Sequence, residues 1–142
     1  EAGGRAGAVE DEPRVSSAMR SVTLRQEPAP LIVGERVNAQ GSRKVKRLLL
    51  AEDYEGIADV AREQAESGAH VLDVCVAVTE RGDEAEQMAK VVKLLSMSVE
   101  LPLMIDSTEA AVIARAVLGF FATHSRLAAC TMVWLFSGWK VE

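Results

Sequence analysis

The chain has 142 residues and a formal net charge of −5 at pH 7. This length suffices for one domain with a hydrophobic core, but it falls short of a complete (β/α)₈ barrel of about 250 residues. The negative charge argues against a general affinity for nucleic acids or anionic membranes. No stretch predicts a transmembrane span or a signal peptide, and Cys75 and Cys130 fit no metal or redox spacing, which favours the cytoplasm.

The first 29 residues carry no apolar period and are rich in glycine, proline and acidic residues. Such a composition predicts a linker or a disordered tail over residues 1–29, extended around residues 14–17. The chain begins with Glu1 rather than methionine, so we expect a fragment or a processed product.

Three later apolar runs each carry a polar residue at or near their end, which is typical of buried parallel strands that open into a site. The runs span residues 30–38, 70–76 and 102–108. They carry Asn38, Asp73 and Asp106, whose separations are close to the roughly 31 residues that a barrel spends on one strand-and-helix unit. The sequence therefore predicts three successive βα units that place an amide and two carboxylates on one rim.

A basic cluster follows the first run and comprises Arg43, Lys44, Lys46 and Arg47. Two interpretations stay open. The first is a short solvated helix on the rim of the barrel, and the second is a contact with a phosphate or a polyglutamate.

The segments between the apolar runs have the signals of helices. Asp53 is suited to cap a helix that continues to about Ser67, with Gly68 as its left-handed stop. Asp83 and Glu86 have the spacing of a capping box. An apolar stripe at helical spacing then comprises Met88, Val91, Val92 and Leu95.

A further helix is expected after the third run, with Ser107 or Thr108 as its cap and Ile113, Ala116 and Val117 facing inward. Strands and helices then alternate along the chain. This alternation predicts an α/β fold with a parallel sheet and right-handed crossovers.

Beyond Leu118 the pattern changes, because all the phenylalanines and both tryptophans lie there and the acidic residues are absent until Glu142. We expect residues 30–118 to be a partial domain and residues 119–142 to be an atypical apolar segment, from a frame change or a chimeric end. The alternative is an ordinary C-terminal helix and strand, with the strand within residues 131–136.

The three polar residues suggest a ligand class. Asn38 offers hydrogen-bond donors and acceptors, whereas Asp73 and Asp106 only accept when ionised. This set suits a flat heterocycle with N–H groups on its edge, such as a pterin or a purine, better than Mg²⁺, and no metal site is predicted. Either acid could instead cap a turn. Glu35 and Arg36 are possible rim residues, one facing the pocket and the other in an ion pair.

Two remaining polar groups have simpler interpretations. His70, at the start of the second run, is expected to be a hydrogen-bonded structural residue rather than a base. Cys75 is expected to be a small buried side chain. No residue is identified as catalytic.

In their order, three motifs resemble the pterin-binding (folate) domain of cobalamin-dependent methionine synthases. They read Pro30-Leu31-Ile32-Val33-Gly34-Glu35-Arg36-Val37-Asn38, Gly68-Ala69-His70-Val71-Leu72-Asp73-Val74 and Pro102-Leu103-Met104-Ile105-Asp106-Ser107-Thr108. With a linker-like stretch at residues 13–18, the resemblance covers residues 13–118. It implies a TIM (β/α)₈ barrel of the dihydropteroate synthase-like type, of which this chain would hold the first three βα units only, after an extended N-terminal linker.

The resemblance also implies a function. The barrel would hold 5-methyltetrahydrofolate and present its N5-methyl group to cob(I)alamin on another domain, for the methylation of homocysteine. Asn38 and Asp73 would line the pterin pocket, and Asp106 would hydrogen-bond the amino-pyrimidine edge. The parent enzyme would be a methyltransferase whose partners are its own cobalamin-binding and homocysteine domains, with zinc only in the latter. No residue here is assigned as the N5 proton donor.

Other assignments stay open, namely a dihydropteroate synthase, another corrinoid methyltransferase, and a non-catalytic truncated product or small α/β interaction module. The family's Asn-Ser pair on the fourth strand has no counterpart after Leu118, and the later strands of the pocket are absent. We therefore expect the isolated chain to fold poorly or to associate, without turnover and without tight folate binding.

Overall fold

The computed structural model describes residues 12–123 and 133–135. Its elements, in chain order, are β1 (Arg14–Ser16), β2 (Ser21–Thr23), β3 (Val33–Asn38), α1 (Arg43–Leu50), α2 (Tyr54–Glu66), β4 (Val71–Cys75), α3 (Glu84–Ser98), β5 (Leu103–Asp106), α4 (Ala110–Thr123) and β6 (Val133–Leu135). Within the described ranges, no helix combines the length and the apolar character needed to cross a membrane.

Strands β3, β4, β5 and β6 form one parallel sheet in that order. The three predicted apolar runs became β3, β4 and β5, and the predicted α/β class with a parallel sheet is confirmed. The expectation of three units only differs from the structure, because β6 pairs with β5 as a fourth strand. Its sequence, Val133–Leu135, contains the β-branched and aromatic residues that favour strands, and it lies within the alternative strand at residues 131–136.

The main core lies between the sheet and the helices. Leu72 and Val74 of β4 and Ile105 of β5 are completely buried there. The predicted stripe of α3 is confirmed, since Met88, Val91, Val92 and Leu95 are all at most 1% exposed. On α4, Val112, Ile113 and Ala116 are buried. The helices cover one face of the sheet, and the opposite face carries Val71, Asp73 and Cys75 of β4.

The N-terminal segment differs from the predicted linker or disordered tail. β1 and β2 form an antiparallel hairpin, in which Val15 is 2% exposed and Val22 is 5% exposed. Both valines pack against Val71 of β4 on the sheet face that the helices leave uncovered. The hydroxyl of Ser17 donates to the carbonyl of Glu100 at 2.5 Å and ties the hairpin to the loop before β5. Two buried valines were too few to produce an apolar period in the sequence.

Two of the predicted helix signals are confirmed at the ends of α2. The carboxylate of Asp53 accepts a hydrogen bond from the backbone N–H of Gly56 at 3.0 Å. Gly68 has a φ of 93°, the left-handed conformation that glycine adopts without strain. The basic cluster forms α1, whose first turn is capped by the hydroxyl of Ser42.

The prediction of a capping box at Asp83 and Glu86 is wrong, because the side chain of Asp83 does not cap the helix. Asp83 occupies the N-cap position of α3, but its carboxylate makes no cap hydrogen bond. Instead it accepts hydrogen bonds from the guanidinium of Arg81 and from the side-chain amide of Gln87. A bidentate guanidinium is a stronger donor than a backbone N–H, and this is the physical reason for the difference.

At the start of α4, the hydroxyl of Ser107 accepts from the backbone N–H of Glu109 at 3.1 Å, as expected of a residue before the first turn. The helix runs to Thr123 without a break at the boundary predicted after Leu118. The domain limits proposed from the sequence stay predictions. The expected atypical segment beyond Thr123 lies outside the described residues, apart from β6.

Candidate functional site

Asn38, Asp73 and Asp106 come together at the carboxyl-terminal edge of the parallel sheet. The side-chain amide of Asn38 donates to Asp73 Oδ2 at 2.9 Å and is 3.4 Å from Asp106 Oδ2. The register explains this convergence, because Asp73 pairs with Met104 and Asp106 lies two residues further along the same face. We call these three residues the polar triad. The predicted meeting of one amide and two carboxylates is what the structure shows.

The loop after β3 fixes the orientation of Asn38. Its side-chain oxygen accepts hydrogen bonds from the backbone N–H groups of Gln40 and Gly41, at 2.9 and 3.2 Å. Since the oxygen is used by this turn, the amide nitrogen points toward the two carboxylates. The amide nitrogen of Asn38 is thereby within 3.4 Å of both carboxylates.

Asp73 is the least exposed member of the triad, with 7% of its surface accessible. Its Oδ1 is buried and has no hydrogen-bond partner among the described residues. Burial raises the pKa of Asp73, the hydrogen bond from Asn38 lowers it, and the charges of Asp106 and Glu35 raise it further. A buried carboxylate oxygen without a donor is costly, so Asp73 is suited to receive an N–H group from a ligand.

A second polar pair lies beside the triad. The hydroxyl of Ser107, directly after Asp106, donates to Glu84 Oε1 at 2.9 Å. This contact joins the first turn of α3 to the end of β5. The sequence indicated Ser107 only as a helix cap and gave no sign of Glu84, since an acid in the first turn of a helix is ordinary.

Cys75 lies on the same sheet face as Asp73 and is the register partner of Asn38. It is 2% exposed, which confirms the prediction of a small buried side chain. Burial, together with the nearby charges of Asp106, Glu84 and Asp73, raises the pKa of the Cys75 thiol to about 11. The thiol is therefore neutral at physiological pH and adds no charge to the site.

Glu35 and Arg36 lie in an irregular part of β3, where the register with β4 shifts between Gly34 and Val37. Both are exposed, and within residues 12–123 neither forms the ion pair expected from the sequence. Glu35 acts on the site only through its charge, which contributes to the raised pKa of Asp73. The backbone N–H of Arg36 donates to Gln64 Oε1 at 2.8 Å and anchors the irregular segment to α2.

His70 is part of the fold rather than of the site. Its Nδ1 accepts a hydrogen bond from the backbone N–H of Ile32 at 2.9 Å, as expected of a structural histidine. Among the described residues, no group of three or more histidine, cysteine or acidic side chains is placed to hold a metal ion. The polar triad offers carboxylate oxygens as hydrogen-bond acceptors near the carboxyl-terminal ends of the strands.

A groove of about 480 Å³ opens next to the triad, between the loop after β3 and the loop after β4. Ala39 and Gln40 line one side of it, and Val78 and Glu84 line the other. It therefore begins at the residue that follows Asn38 and reaches the side chain that binds Ser107.

Residues 34–123 match the sequence profile of a family described as "Pterin binding enzyme". The chain belongs to this family. The matched range contains the whole polar triad, α1 to α4, β4 and β5, so the family assignment covers every part of the site described above.

Two relatives of this pterin binding enzyme chain are methionine synthases. The protein from Mycobacterium leprae (strain TN) is 42% identical over 98 residues, which are 69% of this chain and 8% of that protein. The protein from Mycobacterium tuberculosis (strain ATCC 25618 / H37Rv) is 41% identical over 102 residues, which are 72% of this chain and 8% of that protein. The resemblance expected from the motifs is thus confirmed, and the chain spans a small part of the length of these relatives.

Proposed function

We propose that the polar triad binds the pterin ring of 5-methyltetrahydrofolate, as part of a folate-binding domain like that of methionine synthases. The observation that carries this proposal is the buried Oδ1 of Asp73, which has no hydrogen-bond partner among the described residues, beside the second carboxylate of Asp106. The amino-pyrimidine edge of a pterin presents adjacent N–H donors, and carboxylates accept such parallel hydrogen bonds well.

In this proposal each residue of the triad has its own role. Asp106, which is less buried than Asp73, accepts from the amino-pyrimidine edge. Asp73 accepts a further ring N–H through Oδ1 while its Oδ2 stays bonded to Asn38. Asn38 holds the two carboxylates apart and is itself held by its loop. Glu35 and Arg36 remain candidate rim residues.

The reaction proposed for the parent enzyme is the transfer of the N5-methyl group of the bound folate to cob(I)alamin, for homocysteine methylation in the cytoplasm. Cobalamin and zinc would be held by the cobalamin-binding and homocysteine domains. The described part of this chain offers acceptor oxygens rather than a metal-ligand cluster, so its own role is to bind and orient the pterin.

The test measures binding of 5-methyltetrahydrofolate to the 142-residue chain by ligand-observed NMR. We expect weak, saturable binding without methyl transfer, because the triad provides only part of a pocket. Asp106→Asn should weaken binding about tenfold to a hundredfold, since a hydrogen bond to a charged group contributes roughly 1.5–3 kcal/mol. Asp59→Asn, on the exposed face of α2, is the control and should bind like the unmodified chain.

Two results would contradict the proposal. One is the absence of binding up to millimolar folate while circular dichroism shows a folded chain. The other is equal binding by the unmodified chain and Asp106→Asn, which would place the ligand away from the triad.

A further inference from the structure

The side chain of Asp106 is held less firmly than those of the other two members of the triad. Within the described residues its carboxylate makes one hydrogen bond, the 3.4 Å contact from the amide of Asn38. Asn38 is fixed by two backbone N–H groups, and Asp73 is fixed by burial and by a hydrogen bond of 2.9 Å. The direction in which the Asp106 carboxylate points therefore depends on the backbone that carries it, at the end of β5.

This backbone continues into Ser107, which lies between β5 and the start of α4. Ser107 is 3% exposed, and its hydroxyl takes part in two hydrogen bonds. It accepts from the backbone N–H of Glu109 at 3.1 Å, and it donates to Glu84 Oε1 at 2.9 Å. The first contact is usual before a helix, whereas the second brings in a carboxylate from another helix. Together they fix the residue that is bonded directly to Asp106.

The start of α3 holds Glu84 in place. The preceding residue, Asp83, accepts two hydrogen bonds from the guanidinium of Arg81, at 2.8 and 2.6 Å, and a third from the side-chain amide of Gln87 at 2.7 Å. Arg81 also donates to Glu52, in the turn between α1 and α2, at 2.8 Å. The first turn of α3 is thereby tied to a neighbouring part of the fold, so the backbone that carries Glu84 is well anchored.

The carboxylate of Glu84 lies close to the triad without binding it. The pKa of the Cys75 thiol is raised by burial and then by the charges of Asp106 and Glu84. Among the described residues, however, the side-chain hydrogen bond of Glu84 goes to Ser107 and not to the triad. An effect of Glu84 on a bound pterin must therefore pass through Ser107 or through the charge of the carboxylate.

We propose that Glu84 is a positioning residue of the pterin site, which holds Ser107 and thereby directs the carboxylate of Asp106 toward the amino-pyrimidine edge. This inference rests on the proposed function, because it requires the pterin to lie at the triad. The contribution of Glu84 is an acceptor oxygen at a fixed place. An amide oxygen at the same position should therefore replace it.

The experiment measures binding of 5-methyltetrahydrofolate to variants of the 142-residue chain by ligand-observed NMR, with circular dichroism to establish that each variant is folded. Glu84→Ala should weaken binding about threefold to tenfold, which corresponds to the net contribution of one hydrogen bond. Glu84→Gln keeps an acceptor oxygen and should bind within about twofold of the unmodified chain. A role of the charge alone would not be rescued in this way.

Glu86→Ala is the matched control. It removes the same side chain and charge from an exposed position in the first turn of the same helix. The loss of an acid near the helix N-terminus is thus common to Glu84→Ala and Glu86→Ala, and so is its effect on helix stability. Glu86→Ala should bind the folate like the unmodified chain.

A double-mutant cycle tests the route through Ser107. Ser107→Ala removes the other partner of the same hydrogen bond and should weaken binding at least as much as Glu84→Ala. The double variant should bind no more weakly than the weaker of the two single variants. If Glu84→Ala does not fold, Ser107→Ala carries the test alone, and unchanged binding by Ser107→Ala contradicts the inference.

The possible failures are distinct. Unchanged binding by Glu84→Ala, while Asp106→Asn still weakens binding, overturns this inference and leaves the proposed pterin site standing. Equal losses in Glu84→Gln and Glu84→Ala, or single losses that multiply in the double variant, overturn it as well. If the folded, unmodified chain does not bind the folate, the proposed function fails and the inference fails with it.

Discussion

At the scale of single residues, burial and ligand binding make opposite demands on Asp73. The carboxylate is almost completely enclosed, and one of its oxygens has no donor among the described residues. Asn38 offsets only part of this cost, because it provides a single hydrogen bond to the other oxygen. A carboxylate placed in this way destabilises the free protein and is stabilised when a ligand donates to it.

Because the charge of Asp73 is buried, we expect the effect of Asp73→Asn on the free energy of unfolding to depend on pH. Burial raises the pKa of Asp73 above its ordinary 3.8, so the folded chain binds the proton more tightly than the unfolded chain. The resulting stabilisation is complete below the ordinary pKa and is lost as the pH rises through the raised pKa. Asp73→Asn should therefore increase the free energy of unfolding at neutral pH by on the order of 1 kcal/mol and change it little in acid.

Urea denaturation at neutral and at acidic pH, followed by circular dichroism, measures this difference. Asp59→Asn replaces an exposed acid of α2 and should change the free energy of unfolding by less than about 0.5 kcal/mol at either pH. A loss of stability in Asp73→Asn at neutral pH would show that the buried charge is compensated by contacts other than Asn38.

The sequence allowed the triad to be predicted because parallel strands have a common carboxyl edge. The polar residue at or near the end of each apolar run must then lie near its neighbours. The turn that orients Asn38 and the contact between Ser107 and Glu84 depend on side-chain rotamers and on the approach of α3 to β5. No spacing in one sequence encodes those distances, so these parts of the site required coordinates.

At the scale of elements, long periodic segments were predictable and short ones were not. The stripe of α3 repeats over several turns, and each of its four apolar residues is buried. Strands β1 and β2 have three residues each, too few to show alternation. The cap at Asp83 was predicted from spacing alone, but Arg81 and Gln87 are better placed to bind that carboxylate.

The N-terminal hairpin should contribute to stability rather than serve as a loose linker. Val22→Ala removes buried apolar atoms that pack with Val15 and Val71, and we expect a loss of about 1 to 3 kcal/mol in the free energy of unfolding. Met19→Ala is the control, because Met19 is 55% exposed in the hairpin turn, and its effect should stay within about 0.5 kcal/mol. Urea denaturation checks both.

If Val22→Ala had no more effect than Met19→Ala, the hairpin would contribute nothing to the folded state. The linker predicted over residues 1–29 would then be the better description of this segment in solution.

At the scale of the whole molecule, the described sheet is open at both sides. β3 pairs only with β4, and β6 pairs only with β5, within the described ranges. The order and direction of β3, β4 and β5 followed from the alternation of strands and helices. The pairing of β6 with β5 did not follow from this alternation, because the short β6 segment lacks the polar end that marks the earlier strands.

The open edge of β3 gives a physical basis for the predicted association of the isolated chain. A cleft of about 330 Å³ runs along this edge, lined by residues that include Ile32 and Gln64. Ile32 is 46% exposed, and the buried Gln64 Nε2 has no hydrogen-bond partner among the described residues. An unpaired strand edge beside an exposed apolar side chain favours pairing with another chain.

We therefore expect Ile32→Lys to reduce self-association, because a lysine on an open strand edge opposes strand pairing through its charge and its hydration. Sedimentation velocity across a wide range of chain concentrations should show larger species for the unmodified chain and a shift toward monomer for Ile32→Lys. Leu118→Lys makes the same change of charge at a residue of α4 that is 60% exposed. Since Leu118 lies away from the β3 edge, this control should associate like the unmodified chain.

If Leu118→Lys dissociates the chain as much as Ile32→Lys does, general charge repulsion and not the strand edge controls association. If the unmodified chain stays monomeric at every concentration, the open edge is not used for pairing in solution.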